Sequence, residues 1–129
     1  MKPPDSAEIF ETSTSKYWFE GHLLCVVSKK AERPDEKTQK KEIEEFQKRI
    51  GNKKVCAIMD VGESTPTPRA ERKQNVEMLP KLFKAIAFII KNPATRFMAQ
   101  LYLGALNMPF PVKMFSTEEE AKEWIKTKM

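Results

Sequence analysis

Three short apolar runs constrain this chain more than any other feature: "LLCVV" at Leu23–Val27, "VCAIM" at Val55–Met59 and "AIAFII" at Ala85–Ile90. Each is uncharged and too short for a core helix, and each is rich in β-branched or other bulky side chains. Such runs suit strands covered on both faces. The segments between them carry charge and helical spacing. Two-sided burial of consecutive strands is achieved when crossover helices join them in a parallel sheet.

The flanking segments complete the pattern. "IFETSTSKYWFEG" (Ile9–Gly21) mixes aromatic and β-branched residues, as extended chain does, and a hairpin around Glu20–Gly21 joins it to the "LLCVV" strand. In "RPDEKTQKKEIEEFQKRIG", Ile43, Phe46 and Ile50 recur at helical spacing, Pro34 suits the first turn and Gly51 the stop. "TPRAERKQNVEML" predicts a second helix, with Thr67 as N-cap, Pro68 at the first helical position and Pro80 ending or kinking it. "NPATRFMAQLYLGAL" predicts a third helix opened by Asn92 or Thr95, and "FPVKMF" a short fifth strand. In "STEEEAKEWIKTKM", Thr117 and Glu120 form an S/T-x-x-E capping box, and Ala121, Trp124 and Ile125 share the core side of a last helix. The expectation is one α/β domain over residues 9–129, with a mixed, mostly parallel five-stranded sheet and about four helices. Residues 1–8, with two prolines, read as a flexible N-terminal arm.

At 129 residues and 14.9 kDa, one domain with a sufficient core is expected. The net charge of +5 comes from 23 basic residues interleaved with 18 acidic ones, which reads as a solvated surface, and nucleic acid is not an expected partner. The aromatic cluster Tyr17, Trp18 and Phe19 is read as core and not as a base-stacking platform. Cys25 and Cys56 lie inside apolar runs, as buried thiols in a reducing compartment do; a disulfide between neighbouring strands is the alternative. No apolar run approaches the ~20 residues of a membrane span, and the opening residues do not form a secretion leader, so a cytoplasmic location is expected.

Motifs for catalysis are missing. The single histidine, His22, falls in the second predicted strand, which spans "GHLLCVVSKK", and one His with two scattered Cys falls short of a zinc set. No phosphate-cradling glycine loop is present among the four glycines. A non-enzyme without cofactor or metal is the reading.

Two segments invite a function. The stretch "IMDVGESTPTPRAERK" ends an apolar strand in Asp60 and opens a helix. Ser64, Thr65 and Thr67 there, with Arg69 and Arg72 one and two turns in, suit a phosphate, an anion or a phosphosite at a helix N-terminus. The plainer reading, which carries more weight, is that Thr67 caps and the others fill a turn. The second segment is the predicted helix at 93–106. Arg96, Phe97, Met98, Leu101 and Tyr102 leave it little polar face, more than one sheet layer covers. A second copy of the chain is the favoured cover; a lipid-like or small apolar ligand is the runner-up.

The element order, the stretch "KAIAFIIKNPATRFMAQLYLGALNMPFPVKMFSTEEEAKEWI" and the "D…RAER" segment resemble small bacterial STAS/CRAL-TRIO-like proteins. The resemblance spans roughly Ser15 to Thr127. It implies the STAS-like (SpoIIAA-like) fold of anti-sigma-factor antagonists, which is related to lipid-transfer domains. Such antagonists act by binding, so the resemblance implies a regulatory or interaction module with a protein partner. They carry a phosphorylatable serine after the third strand. The equivalent "GESTPTP" lacks their Ser-Gly or Thr-Gly pair and has prolines in the turn.

Overall fold

In a computed structural model of the chain, the described residues are 1–12, 15–28, 36–51, 53–61, 80–106 and 109–129; within the helices, the side chains at 36, 38–39, 98–99 and 102–106 are left aside. The elements in chain order are β1 (Phe10–Glu11), β2 (Ser15–Glu20), β3 (Leu23–Ser28), α1 (Glu36–Ile50), β4 (Val55–Asp60), β5 (Phe83–Ile89), α2 (Pro93–Leu106), β6 (Val112–Phe115) and α3 (Glu118–Lys126). The expected second helix at 67–79 lies outside the described residues. A helical turn at 80–82 runs straight into β5, so Pro80 is itself inside a helical turn.

The six strands form one sheet in the order β1-β2-β3-β4-β5-β6. The first three are antiparallel and the rest parallel. The sequence reading gave five strands. The sixth is β1, whose two residues pair Phe10 with Tyr17 and Glu11 with Lys16, too short a span to show any alternation.

The three apolar runs occupy the sheet centre. Leu23–Val26 and Val55–Ile58 are buried without a break, as strands covered on both faces must be. On one face, Trp18, Cys25, Cys56, Ile58, Ala87 and Phe115 pack under Ala121 and Ile125 of α3, with Met1 and Ala7 at the margin. On the other, Tyr17, Leu24, Ala57, Phe83 and Ile86 pack under Ile43 and Phe46 of α1.

Local chemistry sets the element ends. Glu20 pairs with Leu23, so the hairpin loop is Gly21–His22, and Gly21 takes φ +64°, a left-handed angle that costs glycine little. His22 therefore sits exposed in the turn and not in a strand, a correction to the sequence reading. Gly51 (φ +74°) ends α1 and donates its N–H to the Gln47 carbonyl at 3.0 Å. Thr117 caps α3: its Oγ1 accepts from the Glu120 N–H at 3.3 Å, while Glu120 Oε1 accepts from that hydroxyl at 3.0 Å. Ala121 and Ile125 are buried as expected and Trp124 is half-buried against the Phe115 ring, 5.7 Å between centroids. None of the described helices is long and apolar enough to cross a membrane.

Candidate functional site

The described part of α2 presents an apolar surface. Asn92 opens the helix: its Oδ1 accepts from the backbone N–H groups of Ala94 (2.9 Å) and Thr95 (3.3 Å), and Pro93 takes the first helical position. The sequence left Asn92 and Thr95 as alternatives; the cap is Asn92. Arg96 is the only charged residue in α2, and its Nη1 turns back to donate to the Ile90 carbonyl at 3.3 Å. Phe97 and Leu101, one turn apart, remain 61% and 58% exposed. They share a stripe because residues at i and i+4 lie one above the other. The main contact of α2 with the sheet is to the edge strand β6. Of the helix residues singled out from sequence, Arg96, Phe97 and Leu101 are thus placed; the side chains of Met98 and Tyr102 lie outside the described set.

Of the loop residues singled out with it, only Asp60 is described. It closes β4 opposite Ile89, and its Oδ2 lies 3.0 Å from the Met1 ammonium. Ser64, Thr65, Thr67, Arg69 and Arg72 lie outside the described residues.

Two polar clusters escaped the sequence reading. The first ties α1 to β2. The Tyr17 hydroxyl donates to Glu45 Oε1 at 2.6 Å, and the Ser15 hydroxyl donates to Glu42. Ser15 and Tyr17 point to one face because they are two apart on a strand; Glu42 and Glu45 share a helical stripe because they are three apart. Arg49 completes the seam, with its Nε 3.6 Å from Glu45 and its guanidinium 3.7 Å from the centroid of the Phe10 ring. Burial, reinforced by the Glu45 carboxylate, pushes the Tyr17 phenol well above its ordinary range. The spacings S-x-Y and E-x-x-E were legible, but nothing in the sequence says that they meet.

The second cluster lies under α3. Glu20 Oε2 accepts from the Trp18 indole at 3.0 Å and from the Cys25 thiol at 3.1 Å. Burial alone would push the Glu20 carboxyl up, but these two donors and the nearby Lys122 charge outweigh it and hold the group below its usual range. Burial and the Glu20 carboxylate push the Cys25 thiol far up, and burial raises Cys56 too. Both thiols are therefore held protonated, which makes poor nucleophiles and poor metal ligands. They are free, on adjacent strands and one sheet face, so the disulfide alternative is not realised. Among the described residues, no three of His, Cys, Asp and Glu gather as metal ligands would.

A hairpin feeding a parallel sheet, helices on both faces and the 14-residue α2 before a short edge strand together define a SpoIIAA-like, that is STAS-like, α/β domain. A crystal structure of an uncharacterised protein of the DUF3478 family from Shewanella loihica PV-4, described as having a SpoIIAA-like fold, matches with a TM-score of 0.52 over 92% of this chain and 91% of that one. The two share 15% identity, so the likeness is one of fold. The profile of the Domain of unknown function DUF7793 matches residues 17–129, and the chain belongs to that family. A search of curated proteins gave no match.

Proposed function

We propose that this chain is a non-enzymatic, cytoplasmic interaction module of the STAS-like type, with a regulatory role, that pairs with a second copy of itself through α2. The observation that carries the reading is the exposure of Phe97 (61%) and Leu101 (58%) on a helix whose one charge, Arg96, is drawn back to the strand end. Exposed neighbouring apolar side chains of this size favour a partner surface. In a two-fold pair the same stripe meets itself, so one patch supplies both halves of the interface.

Burying a Phe or Leu fully contributes about 1.5–3 kcal/mol, so the exposed parts of these two contribute about 4–7 kcal/mol per dimer, counting both copies. That only matches the low end of the association cost, about 4–15 kcal/mol. Neighbouring surface must add to it, and the pairing is expected to be weak and concentration-dependent. Native mass spectrometry of the purified chain tests the reading, since it reports subunit count and bound molecules together. A dimer without ligand supports self-association. A monomer holding a lipid-like molecule would replace it with a carrier of apolar ligands.

A further inference from the structure

The lysines that the sequence scatters among acidic neighbours are gathered by the topology at one end of the sheet. The strands β3 to β6 are parallel, so the residues that precede each one lie at a common end. Lys53 and Lys54 precede β4, and Lys81 precedes β5, whose Phe83 pairs with Val55. Helix α1 ends just before β4 and brings Lys48 to the same end. Helix α3 starts from the far end of β6, packs back across β5 and β4, and brings Lys122 within electrostatic reach of Glu20 beside the hairpin. Lys126, a turn further on, continues in that direction.

One lysine is placed there by an irregularity in the sheet. Val55 pairs with Phe83 but the next residue, Cys56, pairs with Ala85. Lys84 is the extra residue of a bulge, and its side chain is exposed. A bulge costs a ladder position and re-aims the side chain it ejects, here towards solvent at the strand start.

The pole therefore holds Lys48, Lys53, Lys54, Lys81, Lys84 and Lys126, all exposed. The described acidic residues on this side are Glu20, Glu123 and Glu44, the last one turn before Lys48; Glu20 is engaged by Trp18 and Cys25. On α1, Glu42 and Glu45 turn to the hydroxyls of β2, which leaves Lys37, Lys40 and Lys41 to solvent with Glu44 as the exposed acid among them. At the opposite end of the sheet, Glu118, Glu119 and Glu120 open α3 and Asp60 closes β4. That end also holds Lys91 and Arg96, and the Met1 ammonium lies against Asp60, so among the described residues its charge is mixed while the pole is mainly basic.

We propose that this lysine pole docks the phosphate backbone of double-stranded nucleic acid, without reading sequence. Three of the lysines end or precede adjacent strands and two end helices on opposite faces. With strands ~4.8 Å apart and layers ~10 Å apart, they spread over a face some 20 Å wide. A broad array of point charges matches a duplex backbone, whose charges are spaced along two strands. Lysine lacks the fork that arginine uses on base edges, so phosphate is the natural target. Among the described residues, no exposed aromatic side chain lies at this end to stack unpaired bases; Met129 and, at the sheet edge, Ile9 are the exposed large apolar side chains nearest it. Charge spread over the face, with no continuous apolar stripe to enter a bilayer, favours a duplex over a membrane surface.

The test is fluorescence anisotropy of a labelled random-sequence DNA duplex titrated with the full chain at low salt. Lys54→Glu with Lys81→Glu reverses two pole charges; Lys37→Glu with Lys91→Glu makes the same charge change away from the pole. The pole pair is expected to weaken binding by about tenfold or more and to flatten the salt dependence by about two phosphate contacts, against about threefold or less for the control pair. Lys54→Gln with Lys81→Gln keeps the comparison valid if charge reversal disturbs folding, which circular dichroism reports. Equal losses from both pairs would overturn the proposal, since net charge and not the pole would then govern. So would no binding by the wild type at low salt, or pole-dependent binding to phosphatidylserine vesicles without binding to the duplex.

Discussion

Replacing Tyr17 by Phe removes one oxygen from the centre of the seam between α1 and β2. The ring is fully buried, stacked on Phe10 at 5.2 Å and set edge-on to Phe46 at 4.9 Å, and a phenylalanine ring keeps both contacts. What is lost is the 2.6 Å hydrogen bond from the phenol to the Glu45 carboxylate. A hydrogen bond to a charged group contributes about 1.5–3 kcal/mol. Glu45 is 36% exposed and keeps Arg49 at 3.6 Å, so water and the guanidinium recover part of the loss. The expected cost of Tyr17→Phe is thus about 1–2 kcal/mol. For a domain of this size that lowers the melting temperature by roughly 3–8 °C. Urea unfolding followed by tryptophan fluorescence measures it, with Trp18 and Trp124 as native probes. Glu45→Gln keeps an acceptor for the phenol and should cost less. A Tyr17→Phe variant within ~0.3 kcal/mol of the wild type would refute the claim that this bond helps fix α1 to the sheet.

Stability should fall at both extremes of pH. The Glu20 carboxyl titrates lower in the fold than its ordinary value of 4.5, so its contribution is present above that value and is lost as pH falls through the depressed one. Cys25 and Tyr17 titrate higher than their ordinary 9.0 and 10.0, so the unfolded chain releases those protons first and stability declines from about pH 9 upwards. Denaturant midpoints across pH check both limbs, and Glu20→Gln should flatten the acid one. Asn92→Ala removes the acceptor for two N–H groups at the start of α2 and should cost about 1 kcal/mol, while Asn92→Asp should retain most of the stability; thermal melts distinguish them.

Much of the fold was legible because burial on both faces leaves a strong mark. Uninterrupted runs such as Val55–Ile58 have no polar face to confuse the period, and the stop at Gly51 and the cap at Thr117 follow from local backbone chemistry. β1 was not legible as a separate strand, since its two residues owe their state to the neighbouring Tyr17 and Lys16. His22 was misplaced by one step because a two-residue loop has to include the residue after Gly21. At the site, the apolar excess of α2 was visible, whereas the exposure of Phe97 and Leu101 depends on how the helix sits beside β6. The pairing of Ser15 and Tyr17 with Glu42 and Glu45 joins residues 27 and 28 positions apart, a distance over which no local pattern reaches. The lysine pole was hidden for the same reason: neighbours in space there are neighbours of strand starts, and the Lys84 bulge has no signature in sequence.

The central claim is that α2 is a self-complementary surface, and sedimentation velocity across a concentration series, on the wild type and on Leu101→Glu, tests it most directly. Leu101 is 58% exposed, so a carboxylate is tolerated by the folded monomer but is left unpaired against its own copy in a two-fold contact. The wild type is predicted to shift from monomer to dimer as concentration rises through the micromolar range, and Leu101→Glu to stay a folded monomer throughout. A wild type that remains monomeric at every concentration, or a Leu101→Glu variant that dimerises as the wild type does, would contradict the account.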